Sequence, residues 1–344
     1  MTAQYETSKP VFVIGSPRSG TSILTWCLGH HPNLFPVPES NWMGTFAVQV
    51  GIACRIGGAR GDYSILSAME IPDDELFAAM GRGIHNLILH HRRDLEKRRE
   101  RRIAQLKLEP SWLHAASMAA GPKTRWVDGT PEYSFHVWGL RKLFPNARFI
   151  HVVRDVQDVV RSMVNFHQAT GIQLVASEEE AYQYWTRTVK ACLMAERACG
   201  PKVVRRVRYA DLTAEPESTV RSLLEFLDEP FTEKCLEPLA NRINSSRVAP
   251  DSAVAQPAAH AATVSEAKRL FTEINNVPQP TEPSAEAANS LEAAFWERVN
   301  YEANLDKAYE DARQEIAKLR KLTPSPIAAS GNAHHTSDPA AAPL

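Results

Sequence analysis

The apolar run Val11-Phe12-Val13-Ile14 leads straight into the loop Gly15-Ser16-Pro17-Arg18-Ser19-Gly20-Thr21-Ser22, and a helical stretch follows from Ser22. A run this apolar reads as a strand buried on both faces. Strand, glycine-rich loop and helix in succession open a nucleotide-type α/β fold. Gly15 and Gly20 can take backbone conformations closed to other residues, so the loop's N–H groups can approach an anion. The helix adds free N–H groups and the positive end of its dipole. The loop is therefore read as a phosphate site. Its glycines fit the spacing G-x-x-x-x-G-K-[ST], but Thr21 stands where the lysine belongs, and Arg18 is the loop's only cation.

The α/β pattern returns after residue 124. Trp126-Val127 reads as a short strand entering Asp128-Gly129-Thr130-Pro131, followed by a helix around 134–144. Further strands are expected at 148–153 and 203–207, and helices at 155–166, 178–198 and 216–227. Strands alternating with helices imply a parallel sheet with helices on both faces. Residues 1–9 read as a loose N-terminus, and 10–247 as the α/β domain with a helical insertion at about 43–123. Within that insertion, 91–102 (HRRDLEKRRERR) reads as a solvated helix with i,i+4 ion pairs, or as a contact for an anionic surface. The Ala/Pro/Ser-rich segment 248–288 reads as a linker or flap, 289–322 as an amphipathic C-terminal helix, and 323–344 as a disordered tail.

Composition narrows the function classes. The 344 residues carry 39 Lys+Arg against 40 Asp+Glu, a formal charge of −1, which argues against a dedicated nucleic-acid binder. Five cysteines with no C-x-x-C pair argue against a disulfide framework or zinc finger, and for a reducing compartment. The most apolar stretch, Trp42 to Cys54, is too short to span a bilayer, and the N-terminus lacks the shape of a secretory signal. The expectation is a cytoplasmic protein. No cluster has metal-ligand spacing, so no metal is expected.

The strand at 148–153 ends Val152-Val153-Arg154-Asp155, which places an arginine where an Mg²⁺-binding aspartate would follow in an ATPase. Arg154 makes sense as a second anion contact, and Ser162, two turns along the next helix, could share it. The alternative is an Arg154 paired with Asp155 or Asp158 and a Ser162 facing solvent.

These residues resemble the sulfotransferases that use 3′-phosphoadenosine 5′-phosphosulfate (PAPS). GSPRSGTS looks like the arginine-bearing 5′-phosphosulfate loop of tyrosylprotein and several carbohydrate sulfotransferases. RFIHVVRDVQDVVRSM looks like the 3′-phosphate motif, with Arg154 and Ser162 in the matching places, and Arg208-Tyr209-Ala210-Asp211-Leu212 resembles an element whose tyrosine lies near the adenine. The resemblance implies a P-loop-like sulfotransferase fold, α/β with a central parallel sheet. It implies that Ser16, Pro17, Arg18, Ser19, Gly20, Thr21, Ser22, Arg154, Ser162, Tyr209 and Arg247 bind the donor, and that Arg18 is also catalytic. Glu39 falls at the spacing of the tyrosylprotein enzymes' catalytic base; read without the resemblance, it is a helix-start acid. His85, His136 and His167 are fallback bases.

Asp128-Gly129-Thr130-Pro131 resembles a D-K-T-P element but lacks its lysine, so a replacement cation is sought in Lys123 or Arg125. The implied reaction is in-line sulfuryl transfer from PAPS to a hydroxyl of a carbohydrate, lipid, phenol or peptide. The rivals are a P-loop kinase, which needs the missing lysine, and a non-catalytic module that binds the desulfated donor (PAP).

Overall fold

The computed structural model describes residues 8–106, 123–240 and 259–322. Strands β1 (Val11–Ile14), β2 (Leu34–Pro36), β3 (Arg125–Asp128), β4 (Arg148–Val153) and β5 (Val204–Arg208) form one all-parallel sheet in the order β2-β3-β1-β4-β5. Helices α1 (Thr21–Gly29), α2 (Trp42–Ala59), α3 (Ile65–Ala68) and α4 (Asp73–Leu106) precede β3. After it come α5 (Val137–Leu143), α6 (Val156–Val164), α7 (Phe166–Thr170), α8 (Glu178–Cys199), α9 (Tyr209–Ala214), α10 (Pro216–Phe226) and α11 (Glu237–Ala240). Two helices close the described chain, α12 (Ala261–Asn276) and α13 (Ala285–Leu322). The expected α/β architecture with a helical insertion is present, and the Arg-rich segment lies within α4.

The sheet holds because its middle strands are apolar on both faces. Val11 and Val13 pack with Leu24, Leu28, Ile150 and Leu223 on one side. On the other, the Phe12 ring lies 5.2–5.9 Å from those of Trp126, Tyr133, Phe144 and Phe149. Each such ring, fully buried, contributes about 1.5–3 kcal/mol. β2 is a strand the sequence pattern does not flag, because Pro36 argues against one. It is tolerated here because β2 lies at the sheet edge, where a missing donor costs little.

Two expectations are corrected. Within the span read as a linker or flap, 261–276 is a helix. Its Ala267, Leu270 and Ile274 are buried against Tyr182, Trp185 and Val189 of α8. The Ala-rich composition hid a helical stripe at 267, 270 and 274.

Lys123 and Arg125, proposed as replacement cations, sit at the amino end of β3, away from the loop that follows β1. The Lys123 ammonium is buried and donates to the carbonyls of Gly29, His31 and Leu34 at 2.8–3.0 Å. Arg125 donates to the carbonyls of Lys9 and Leu227 and pairs with Glu229 at 2.8 Å. Both hold the base of the sheet together.

The compact unit that carries the sheet extends to Val299. The first turns of α13 pack within it: a Cβ on Gly51 would lie 2.7 Å from Val299, and one on Gly139 would lie 2.9 Å from Phe295. From Asn300 onward the chain forms a second unit, whose described part is helical and exposes Leu305, Tyr309, Ile316 and Leu319. Among the described residues, no helix is long and apolar enough to cross a membrane.

Replacing Lys123 with Met leaves three buried carbonyls short of a donor. An unsatisfied buried acceptor costs about 1–3 kcal/mol, so Lys123→Met should lower the thermal unfolding temperature by several degrees, measured by calorimetry. A catalytic Lys123 would instead leave the melting temperature unchanged.

Candidate active site

The site is built where β1 ends beside β4. The two strands pair in parallel, Ile14 opposite His151, so the loop after Ile14 runs alongside the end of β4. Gly15 has φ +144°, and a Cβ there would sit 2.6 Å from the Val152 carbonyl oxygen. Only glycine lets the chain turn this close to β4. The Gly15 N–H donates to Ser134 Oγ at 3.0 Å, and the Ser19 N–H and hydroxyl both donate to the Ser16 carbonyl, at 3.1 and 2.6 Å. Gly20 has φ +107°, and a Cβ there would lie 2.4 Å from the Tyr209 ring. Helix α1 starts at Thr21 with no side-chain cap and no acid in its first turn. Its first N–H groups therefore lack intrahelical acceptors and face the loop with the positive dipole end behind them.

Two arginines converge on this loop. Arg18, at its apex, holds a left-handed backbone (φ 70°), a strained conformation for a residue with a side chain. Its Nε donates to Ser162 Oγ at 3.0 Å, and its guanidinium lies 4.7 Å over the Phe166 ring. Arg154 donates from Nη1 to the Arg18 carbonyl at 3.2 Å and stacks 4.5 Å over Tyr209. Burial and the neighbouring Arg154 both press the Arg18 pKa down, yet a guanidinium keeps its proton at any ordinary pH. Two half-buried cations on a loop that leads into an uncapped helix make an anion-seeking site.

The paired alternative for Arg154 holds only loosely. Asp155 is occupied as the N-cap of α6, accepting from the N–H groups of Gln157 and Asp158 at 2.9 and 3.1 Å. Asp158 approaches Arg154 only to 3.9 Å. Arg154 Nε is buried with no hydrogen-bond partner among the described residues. Ser162 is half-buried and its hydroxyl accepts from Arg18.

Glu39 lies across the start of α1, its Oε1 accepting from the Ser22 hydroxyl at 2.9 Å. It is open to solvent yet flanked by protein. Dehydration, chiefly, and the nearby Glu132 raise its pKa above the usual glutamate value, against the opposing effects of Ser22 and Arg18. A carboxylate so placed is more basic than an ordinary glutamate and can act as a proton acceptor.

Thus the structure brings together Ser16 to Ser22, Glu39, Arg154, Ser162 and Tyr209, while Arg247 lies outside the described residues. The fallback histidines have other contacts. His85 Nδ1 accepts from the Trp126 indole at 3.2 Å. The His136 ring packs beneath Gly44 of α2, where burial pushes its pKa down to about 4. His167 Nδ1 lies 3.0 Å from the Val164 carbonyl. Two supports escape sequence reasoning: Ser134, holding Gly15 from 119 positions away, and Phe166, beneath Arg18. Neither has a local signature, since only the sheet and α6 bring them near.

A family model described as "Sulfotransferase family" matches residues 10–233. Protein-tyrosine sulfotransferase 1 of Danio rerio is 24% identical over 230 residues, 66% of this chain and 55% of that protein. The omega-hydroxy-beta-dihydromenaquinone-9 sulfotransferase Stf3 of Mycobacterium tuberculosis is 28% identical over 104 residues, 28% of this chain and 27% of that protein. The chain therefore spans about half or less of these curated relatives. The crystal structure of sulfotransferase STF9 from Mycobacterium avium matches with a TM-score of 0.42 and 18% identity, covering 81% of this chain and 79% of that one.

Gly129 is fixed by space. A Cβ there would lie 2.2 Å from Thr25 Oγ1, inside α1. Restoring a lysine by Gly129→Lys should displace α1 and cost about 1–3 kcal/mol by overpacking, seen as a lower melting temperature. An unchanged melting temperature would show that α1 yields freely.

Proposed function

The chain belongs to the sulfotransferase family, and from that premise we propose that it transfers the sulfuryl group of PAPS to the hydroxyl of an acceptor. The observation that carries this reading is one constellation: an uncapped α1 start, Arg18 and Arg154 around one loop, and Glu39 hydrogen-bonded to Ser22 of that same helix. The residues suit a donor with two anionic ends. The loop and α1 would hold one, and Arg154, with an Nε still lacking a partner among the described residues, would hold the other.

Bound PAPS supplies the sulfuryl group and a phosphate as leaving group. Arg18 and the N–H groups of Gly20 to Ser22 stabilise negative charge at the 5′ end, where a planar guanidinium can bridge two oxygens. Arg154 and Ser162 bind the 3′-phosphate and fix the register, and Tyr209 places its ring beside the adenine. Glu39 accepts the acceptor's hydroxyl proton. A kinase reading is less well supported, because Thr21 occupies the position of the phosphate lysine and Arg154 follows β4.

The test is transfer of radiolabelled sulfate from PAPS to p-nitrophenol, a tyrosyl peptide, a long-chain alcohol and a hexosamine. Glu39→Gln should lower turnover by about 10²–10⁴-fold, the usual contribution of a general base, with PAP affinity kept. Near-wild-type turnover in Glu39→Gln would remove the base assignment. Arg154→Ala should weaken PAP binding roughly 10–100-fold, as expected for one charge-assisted contact of about 1.5–3 kcal/mol; unchanged calorimetric affinity would contradict its role. A base works only when ionised, so the rate should rise with pH through the Glu39 ionisation. Because that ionisation is shifted upward, the acid limb of the kcat profile should lie above the ordinary glutamate range, and should vanish in Glu39→Gln.

A further inference from the structure

The segment carrying Glu39 has no regular structure of its own, yet it and the start of α2 that follows it are pinned at three points by the end of β3 and the stretch after it. The Val37 N–H donates to the Val127 carbonyl at 3.0 Å, the Ser40 N–H to Thr130 Oγ1 at 3.1 Å, and the Met43 N–H to the Tyr133 hydroxyl at 3.3 Å. Glu39 lies between the first two pins. The middle one is directional. Thr130 has a single hydroxyl proton, and it is donated to Asp128 Oδ1 at 2.6 Å. Its oxygen is thereby left to accept from Ser40. Asp128 Oδ1 also accepts the Thr130 N–H at 2.9 Å, which fixes the turn itself. Asp128 and Thr130 are both fully buried, so water cannot replace either bond.

Burial raises the Asp128 pKa to about 7, and among the described residues no ion pair offsets that cost. Its Oδ2 has no hydrogen-bond partner among the described residues. What the arrangement does secure is a threonine oxygen turned toward the backbone next to Glu39. We propose that Asp128 and Thr130 are positioning residues for Glu39, holding its carboxyl against Ser22 at the start of α1. This rests on the reading of Glu39 as the base.

The groups facing Glu39 are Ser22 and Arg18 from the loop side and Glu132 from the turn after β3, while Asp128 feels its charge from beneath. Release of the Ser40 pin should let the carboxyl swing into water, away from Glu132 and from the dehydrating wall. The experiment is ¹³C NMR titration of glutamate side-chain carboxyls in the full chain, with the Glu39 signal identified by its loss in Glu39→Gln. Calorimetric PAP binding is measured on every variant as the control for an intact loop.

In Thr130→Val the Glu39 titration should fall toward the ordinary glutamate value, with PAP affinity within about threefold of wild type, a loss of no more than about 0.7 kcal/mol. Thr130→Ser, which keeps the hydroxyl, should restore the wild-type titration. Thr130→Ala repeats the test should the valine variant not fold. An unshifted Glu39 in a folded, hydroxyl-free variant would overturn the proposal. So would a shift that Thr130→Ser fails to reverse. A Glu39 that titrates in the ordinary glutamate range in the wild type would also overturn the proposal. If Glu39→Gln retains turnover, the base assignment itself fails, and the pin then has only a structural role.

Discussion

The parallel pairing of β1 with β4 is the contact on which the site depends. It sets the turn at Gly15 against the Val152 carbonyl, where a Cβ would lie only 2.6 Å away. That closeness puts Arg154, just past the end of β4, within hydrogen-bond reach of the Arg18 carbonyl. One strand register thus sets both the loop's curvature and the spacing of the two guanidiniums. The aromatic cluster around Phe12 and the aliphatic one around Val11 and Val13 hold that register from the two faces of the sheet. A slip of one residue would exchange the two faces and bury the wrong side chains.

The cations divide between the two ends of the strands. At the amino ends, Lys123 and Arg125 spend their donors on backbone carbonyls and on Glu229. At the carboxyl ends, Arg18 and Arg154 brace the loop while leaving it anion-seeking, as ligand sites of open parallel sheets generally are. The close fit of Gly129 against Thr25 explains why no third cation enters from the β3 turn. That turn instead supplies the hydrogen bonds that hold the Glu39 segment.

Much of this was legible in the sequence, because it is local. Val11 to Ser22 and Arg148 to Ser162 each encode strand, turn and helix within a few residues, and Arg18 and Arg154 sit between strand and helix. What escaped notice depends on distant contacts. Ser134 is 119 positions from Gly15, and β2 carries a proline that only its edge position excuses. Helix α12 was hidden by composition: alanine and proline read as a link, whereas Ala267, Leu270 and Ile274 are a buried stripe. Lys123 misled in the opposite way. With Gly129 where a lysine is expected, Lys123 offers itself as the replacement cation, and only the fold shows it turned toward three carbonyls at the far end of β3.

The central claim is that the loop and Arg154 together recognise a nucleotide phosphorylated at both its 3′ and 5′ positions. It is tested most directly by thermal unfolding with PAP, with adenosine 5′-monophosphate and with ATP plus Mg²⁺. The account predicts that PAP at 100 times its Kd adds about 2.7 kcal/mol of stability. The monophosphate, lacking the 3′-phosphate, should add much less at the same concentration. Stabilisation by ATP with Mg²⁺ and none by PAP would contradict it.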